Sequence, residues 1–138
     1  MRLIVTKFKN DHVREGFLEY EKRISRFMKL DVVEIKEGDP KTEAERTLKS
    51  IGDETVVLVD VAGKEYTSEG FAEFIKNLDQ KTTFVIGGAY GFHESLLERA
   101  DYRVSLSKMT FPHQLVRLLF MEQLYRAFTI NKNMPYHK

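Results

Sequence analysis

Short apolar runs alternate along the chain with longer stretches in which apolar residues recur every three to four positions. Leu3-Ile4-Val5, Val32-Val33-Glu34-Ile35, Thr55 to Val59, Thr83 to Ile86 and Tyr102 to Leu106 read as strands. The third and fourth are continuously apolar, as strands covered on both faces must be. Helical spacing runs from about Asp11 to Arg26, where Val13, Phe17, Tyr20, Ile24 and Phe27 share a face. Further helices are expected over Thr42 to Ser50 (charged, and read as exposed), Ser68 to Leu78, His93 to about Arg99, and Pro112 to about Phe128. Gly38-Asp39-Pro40 breaks the second strand, and Gly63-Lys64 reads as a turn. Five strands alternating with five helices predict one α/β domain over 1–138, with a mostly parallel five-stranded sheet and helices on both faces.

The last helix breaks the amphipathic rule. Leu115, Val116, Leu118, Leu119, Phe120, Met121, Leu124, Tyr125, Ala127 and Phe128 leave almost no polar stripe, and Arg117, Glu122 and Arg126 scatter around the axis. Such a helix is covered all round, either within the monomer or by a second subunit, and a homodimer through this helix is the expectation. The tail from Ile130 to Lys138 is too polar for a core. It is either a frayed end or a flexible segment that orders over a substrate.

Composition changes the picture little. The chain has 138 residues, 42% hydrophobic and 31% charged, with 10 Phe and 6 Tyr, enough for a packed core. With 0 Cys there is no disulfide framework, thiolate zinc site or cysteine nucleophile. The four histidines (His12, His93, His113 and His137) show no metal-ligand spacing, so no metal is expected. No apolar run reaches the roughly 18 residues of a membrane span, and the N-terminus opens into a strand, so a cytoplasmic protein is expected. Charge is more telling than its net of +1. Residues 1–30 carry +4, residues 31–102 carry −8, and residues 103–138 carry +5. Basic ends that meet in the fold would suit an anionic polymer; otherwise they decorate solvated helix faces.

In parallel sheets, ligands bind beyond the carboxyl ends of the strands. Three such segments carry suitable chemistry: Val59 to Gly63, Gly87-Gly88-Ala89-Tyr90-Gly91, and Ser105 to Pro112. The glycines suit either a binding loop or plain turns. Their spacing matches neither the dinucleotide nor the P-loop fingerprint, and no G-x-S-x-G elbow is present. Asp60 can be read as a catalytic acid or as a cap on nearby backbone N–H groups.

Several blocks carry more than pattern: Phe84-Val85-Ile86-Gly87-Gly88-Ala89-Tyr90-Gly91, Leu106-Ser107-Lys108-Met109-Thr110-Phe111-Pro112-His113-Gln114-Leu115-Val116-Arg117, Glu122-Gln123-Leu124-Tyr125-Arg126-Ala127 and Asn133-Met134-Pro135-Tyr136-His137-Lys138. Together they resemble the RlmH-type methyltransferases of the SPOUT class, which methylate N3 of a pseudouridine in 23S ribosomal RNA. The resemblance covers the whole chain, which has a shorter stretch between its second and third strands than many relatives. It implies a C-terminal trefoil knot, against the general prior, a homodimer, S-adenosyl-L-methionine as cofactor, and large-subunit rRNA as partner. By matched motif the cofactor residues are Val59, Gly87, Leu106, Ser107, Lys108, Met109, Thr110 and Phe111. The implied chemistry is methyl transfer to a ring nitrogen, with Arg126 and Lys138 for phosphate contact, Tyr136 for stacking and His137 for proton handling. A non-catalytic RNA-binding module of the same fold and an enzyme acting on transfer RNA are the alternatives.

Overall fold

A computed structural model describes residues 1–138. The strands are β1 (Arg2–Thr6), β2 (Asp31–Ile35), β3 (Thr55–Glu65), β4 (Thr82–Ile86) and β5 (Tyr102–Ser105). They form one sheet in the order β2-β1-β4-β3-β5, and every pairing is parallel. The helices are α1 (Asp11–Ile24), α2 (Pro40–Ser50), α3 (Ser68–Lys76), α4 (Glu94–Arg99) and α5 (His113–Asn131). None is long and apolar enough to cross a membrane.

The period-two alternation of strand side chains divides the core into two layers. Leu3, Val5, Val57, Val59, Phe84 and Ile86 face α1, α3 and α5, where they meet Phe17, Phe71, Phe120, Met121 and Leu124. Ile4, Val56, Leu58 and Val85 face the other way, onto Ala44 of α2 and Leu96 of α4. Helices thus cover both faces, as the continuous apolar strands require.

Three local features depart from the sequence expectation. First, α2 starts at Pro40 rather than Thr42, because Asp39 caps it, accepting from Thr42 N at 2.8 Å, and proline is tolerated at the first helical position. Its face with Glu43, Ala44 and Thr47 is buried, so it is not an exposed helix. Second, Gly63-Lys64 is no turn. β3 bulges over Asp60 to Gly63 and rejoins β5 through Lys64 and Glu65, so that Val104 lies opposite both Val59 and Lys64. Gly63 is required there, since a Cβ would stand 2.6 Å from the Arg103 carbonyl carbon. Third, α5 runs to Asn131 and ends on a left-handed Asn133 (φ 55°). Met134 N donates to Thr129 O at 2.9 Å and Asn133 N to Ile130 O at 3.1 Å, the Schellman pattern that turns the tail back along the helix.

The missing polar stripe of α5 has a cause within the monomer: the helix packs between α1 and α3 as well as on the sheet. Phe120, Met121, Leu124 and Ala127 are core residues. Arg117, also fully buried, donates to Thr6 O at 2.5 Å and Thr6 Oγ1 at 3.0 Å, with its guanidinium 4.8 Å from the Phe8 ring centre. Burial pushes its pKa down to about 10, so it remains a cation at neutral pH. The outer face of α5 still carries leucines, among them the exposed Leu115.

Gly63→Ala is expected to destabilise the protein by about 1–3 kcal/mol, because the new methyl meets backbone that cannot move aside. Urea denaturation measures this; an unchanged midpoint would show that the bulge does not need a glycine.

Candidate cofactor cleft and C-terminal cluster

The ends of β3, β4 and β5 lie side by side, and the loops leaving them enclose a cleft of about 580 Å³. That falls within the range of about 300–1,000 Å³ usual for small-molecule sites. Val59, Gly87, Leu106, Ser107, Met109, Thr110 and Phe111 line it, and Lys108 does not: its ammonium is exposed and lies 3.6 Å from Glu65. Val61 and Ala89, from the first two candidate loops, complete the wall together with Phe92, His113 and Val116, which the motif match does not name as cofactor residues. The last two stand in the Leu106 to Arg117 block that carries the family resemblance, in the first turn of the helix that directly follows the third loop.

Hydrogen bonds shape the first and third loops. Asp60 accepts from Arg103 Nη2 at 2.6 Å and Nε at 3.1 Å, and from Ala62 N at 3.3 Å. Of the two readings of Asp60, the geometry is therefore that of a capping and ion-paired carboxylate. Ser105 Oγ donates to Ser107 O at 2.8 Å, and Ser107 Oγ accepts from Met109 N at 3.0 Å, which shapes the third loop. In the glycine loop only Gly91 takes a left-handed conformation (φ 80°). A Cβ on Gly87 would meet the Phe92 ring at 3.1 Å rather than open space, and one on Gly88 would stand 2.8 Å from the buried Glu43 carboxylate. Gly87 and Gly88 are thus packed from behind, against the layer that supports the cleft.

A second cavity of about 250 Å³ shares Leu106 and Phe111 with the first. Tyr66, Phe71, Ser68, Glu122 and Gln123 also line it. The tail docks beside it instead of fraying. Glu122 accepts from Arg126 Nη2 at 2.7 Å, Arg126 Nε at 3.2 Å, Gln123 Nε2 at 2.9 Å and Tyr136 Oη at 2.9 Å. With its proton committed to Glu122, the Tyr136 hydroxyl receives its 3.2 Å hydrogen bond from Tyr20. Burial, then those two contacts, push the Tyr136 phenol well above its ordinary pKa, so it stays protonated. Its ring packs edge-on to Tyr125 and lies 4.9 Å from the Arg126 guanidinium.

His137 bridges two partners. Arg126 Nη1 can only donate, so His137 Nδ1 accepts at 3.0 Å, and Nε2–H then donates to Glu69 at 2.7 Å. The imidazole is neutral in this arrangement, and its lone pair is occupied. The structure therefore brings Arg126, Tyr136 and His137 into one cluster and leaves Lys138 exposed.

Comparison with known proteins places this geometry. The fold resembles that of a probable methylase family protein from Haemophilus influenzae (TM-score 0.61, 16% identity, covering 99% of this chain and 70% of that one). It also resembles a TrmH/SpoU tRNA modifying enzyme from A. aeolicus (TM-score 0.51, 10% identity, covering 99% and 80%). At these identities the likeness is one of fold alone, an α/β fold that implies a C-terminal trefoil knot. The family model described as "Predicted SPOUT methyltransferase" matches residues 1–137, and the chain belongs to that family. Proteins named "Ribosomal RNA large subunit methyltransferase H" from Ruminiclostridium cellulolyticum (44% identity) and Carboxydothermus hydrogenoformans (43%) each align with 97% of this chain and 96% of their own length.

Removing residues 135–138 is expected to lower stability by about 1–3 kcal/mol, because Glu122 and Arg126 lose partners. Tyr136→Phe should account for about 1 kcal/mol of that. Thermal and urea unfolding measure both; an unchanged truncation variant would show that the docked tail contributes nothing to the fold.

Proposed function

We propose that this protein transfers the methyl group of S-adenosylmethionine to large-subunit ribosomal RNA, at N3 of a pseudouridine, as one SPOUT domain over 1–138. The observation that carries the proposal is the convergence of three strand-end loops on one cleft, in a chain of the SPOUT family. The cleft fits the cofactor in size and character: Val59, Leu106 and Phe111 offer apolar walls for an adenine, and Gly87 brings the backbone to the rim. Val59, Gly87, Leu106, Ser107, Met109, Thr110 and Phe111 would hold it, and Lys108, its side chain turned out toward Glu65, would only span the loop between Ser107 and Met109. When bound, the cofactor supplies an electrophilic methyl on a sulfonium.

The chain's part is to position the acceptor and take up its proton. The neighbouring cavity, sharing Leu106 and Phe111, is where the base would lie. Arg126 and Lys138 would meet phosphate, and the Tyr136 ring would stack on a base. Tyr136 holds its own proton too firmly to act as the base. His137 can take a proton only once Arg126 releases Nδ1. We further propose a homodimer through the outer face of α5, where leucines stand in place of a polar stripe, acting on cytoplasmic ribosomes or their large subunits.

The test is incorporation of tritiated methyl into ribosomes from a strain lacking the modification, followed by mass mapping. Label at N3 of one 23S pseudouridine is expected. Label only on transfer RNA supports an enzyme of the other substrate class, and cofactor binding without any transfer supports a non-catalytic module. In sedimentation the wild type is expected at twice its 16.2 kDa chain mass. Leu115→Glu should shift it to the monomer, and a wild-type monomer at micromolar concentration would overturn the dimer.

A further inference from the structure

One wall of the cleft carries an imidazole whose proton the fold has assigned. Gln114, next in sequence, is clamped by the segment after β1: its Oε1 accepts from Lys9 N at 3.0 Å and its Nε2 donates to Lys7 O at 3.2 Å. Those two bonds fix which end of the amide is which. The Nε2 of Gln114, a donor only, also lies 3.3 Å from His113 Nε2. His113 Nε2 must therefore accept, and the neutral ring carries its proton on Nδ1. Nδ1 has no partner in the chain, yet no buried side-chain nitrogen is left unpaired, so this N–H is reachable from outside. His113 lines the cleft.

The surroundings favour an acceptor with negative charge. Arg117, one turn further along α5, is a fully buried cation whose hydrogen bonds go to neutral oxygens, of Thr6 and, at 3.5 Å, of His113 itself. Of the other charged groups near the ring, Glu37 is paired with Lys9, and Glu43 is turned to Gly38 N at 3.1 Å behind the glycine loop. Burial and then Arg117 hold the His113 pKa below the ordinary histidine value, which keeps the ring neutral and the Nδ1–H a donor.

We propose that His113 binds the cofactor by donating Nδ1–H to the carboxylate of its amino-acid arm. This rests on the cofactor cleft assigned above. It gives the cleft an orientation, with the amino-acid arm toward α5 and β1.

Calorimetry with S-adenosylhomocysteine and with methylthioadenosine, which lacks the carboxylate, tests it. His113→Phe should weaken S-adenosylhomocysteine roughly ten- to a hundredfold and leave methylthioadenosine nearly unchanged. His113→Asn, which keeps a donor near the Nδ1 position, should retain most of the affinity. His113→Gln, which keeps only the contact to Gln114, should not. Equal losses for both ligands, or none in His113→Phe, overturn the proposal while leaving the cleft intact. A wild type that binds neither ligand would sink the cleft assignment and this inference together. Nitrogen-15 spectra of the wild type give an independent reading. An Nδ1–H ring that stays neutral at about pH 6.5 and shifts at Nδ1 with S-adenosylhomocysteine, but not with methylthioadenosine, is expected; an Nε2–H ring would refute the proposal.

Discussion

The Arg117 guanidinium lies fully buried with only neutral oxygens to receive its protons, and the position of the last helix depends on satisfying it. A cation in such surroundings costs several kcal/mol unless its donors are satisfied. Thr6 supplies a carbonyl and a hydroxyl, and Phe8 supplies a ring face. The end of the first strand is thereby tied to a residue 111 positions later. With that turn of α5 fixed, His113 and Val116 have to face the cleft, and Phe120 and Leu124 have to reach the sheet. The same helix later presents Glu122 and Arg126, to which the tail returns.

Sheet topology does the rest. Placing β4 between β1 and β3, with β5 outside β3, sets the ends of the third, fourth and fifth strands next to one another. Their loops have different chemistry (a bulged strand with an ion pair, a glycine run, a serine-shaped turn) and still meet at one cleft. Buried parallel strands give such a site a rigid base, and the loops are free to supply chemistry. The cavity at the tail shares two walls with this cleft, so a group held there adjoins a cofactor held in the first.

Much of this was legible in the sequence because it depends on local pattern. Continuous apolar strands announced a sheet covered on both faces, and strand ends bearing Gly87, Gly88 and Ser107 pointed to the cleft. What was not legible depends on contacts between distant segments. Gly63 reads as a turn signal until the Arg103 backbone is found 2.6 Å from where its Cβ would be. The absence of a polar stripe on α5 is equally a sign of a partner subunit and of flanking helices, and the placement of α1 and α3 supplies the second cause. The tail's composition fits both a frayed end and an ordered one, and it is the Asn133 turn that brings Tyr136 back to Glu122. The proton on His113 depends on Lys7 and Lys9, more than a hundred residues away.

The central claim, that three loops act as one cofactor site, is tested most directly by hydrogen–deuterium exchange with and without S-adenosylmethionine. The account predicts that residues 59–63, 86–92 and 106–113 gain protection together, at the same ligand concentration. Protection confined to one loop, or appearing instead at the β2 edge of the sheet, would contradict it.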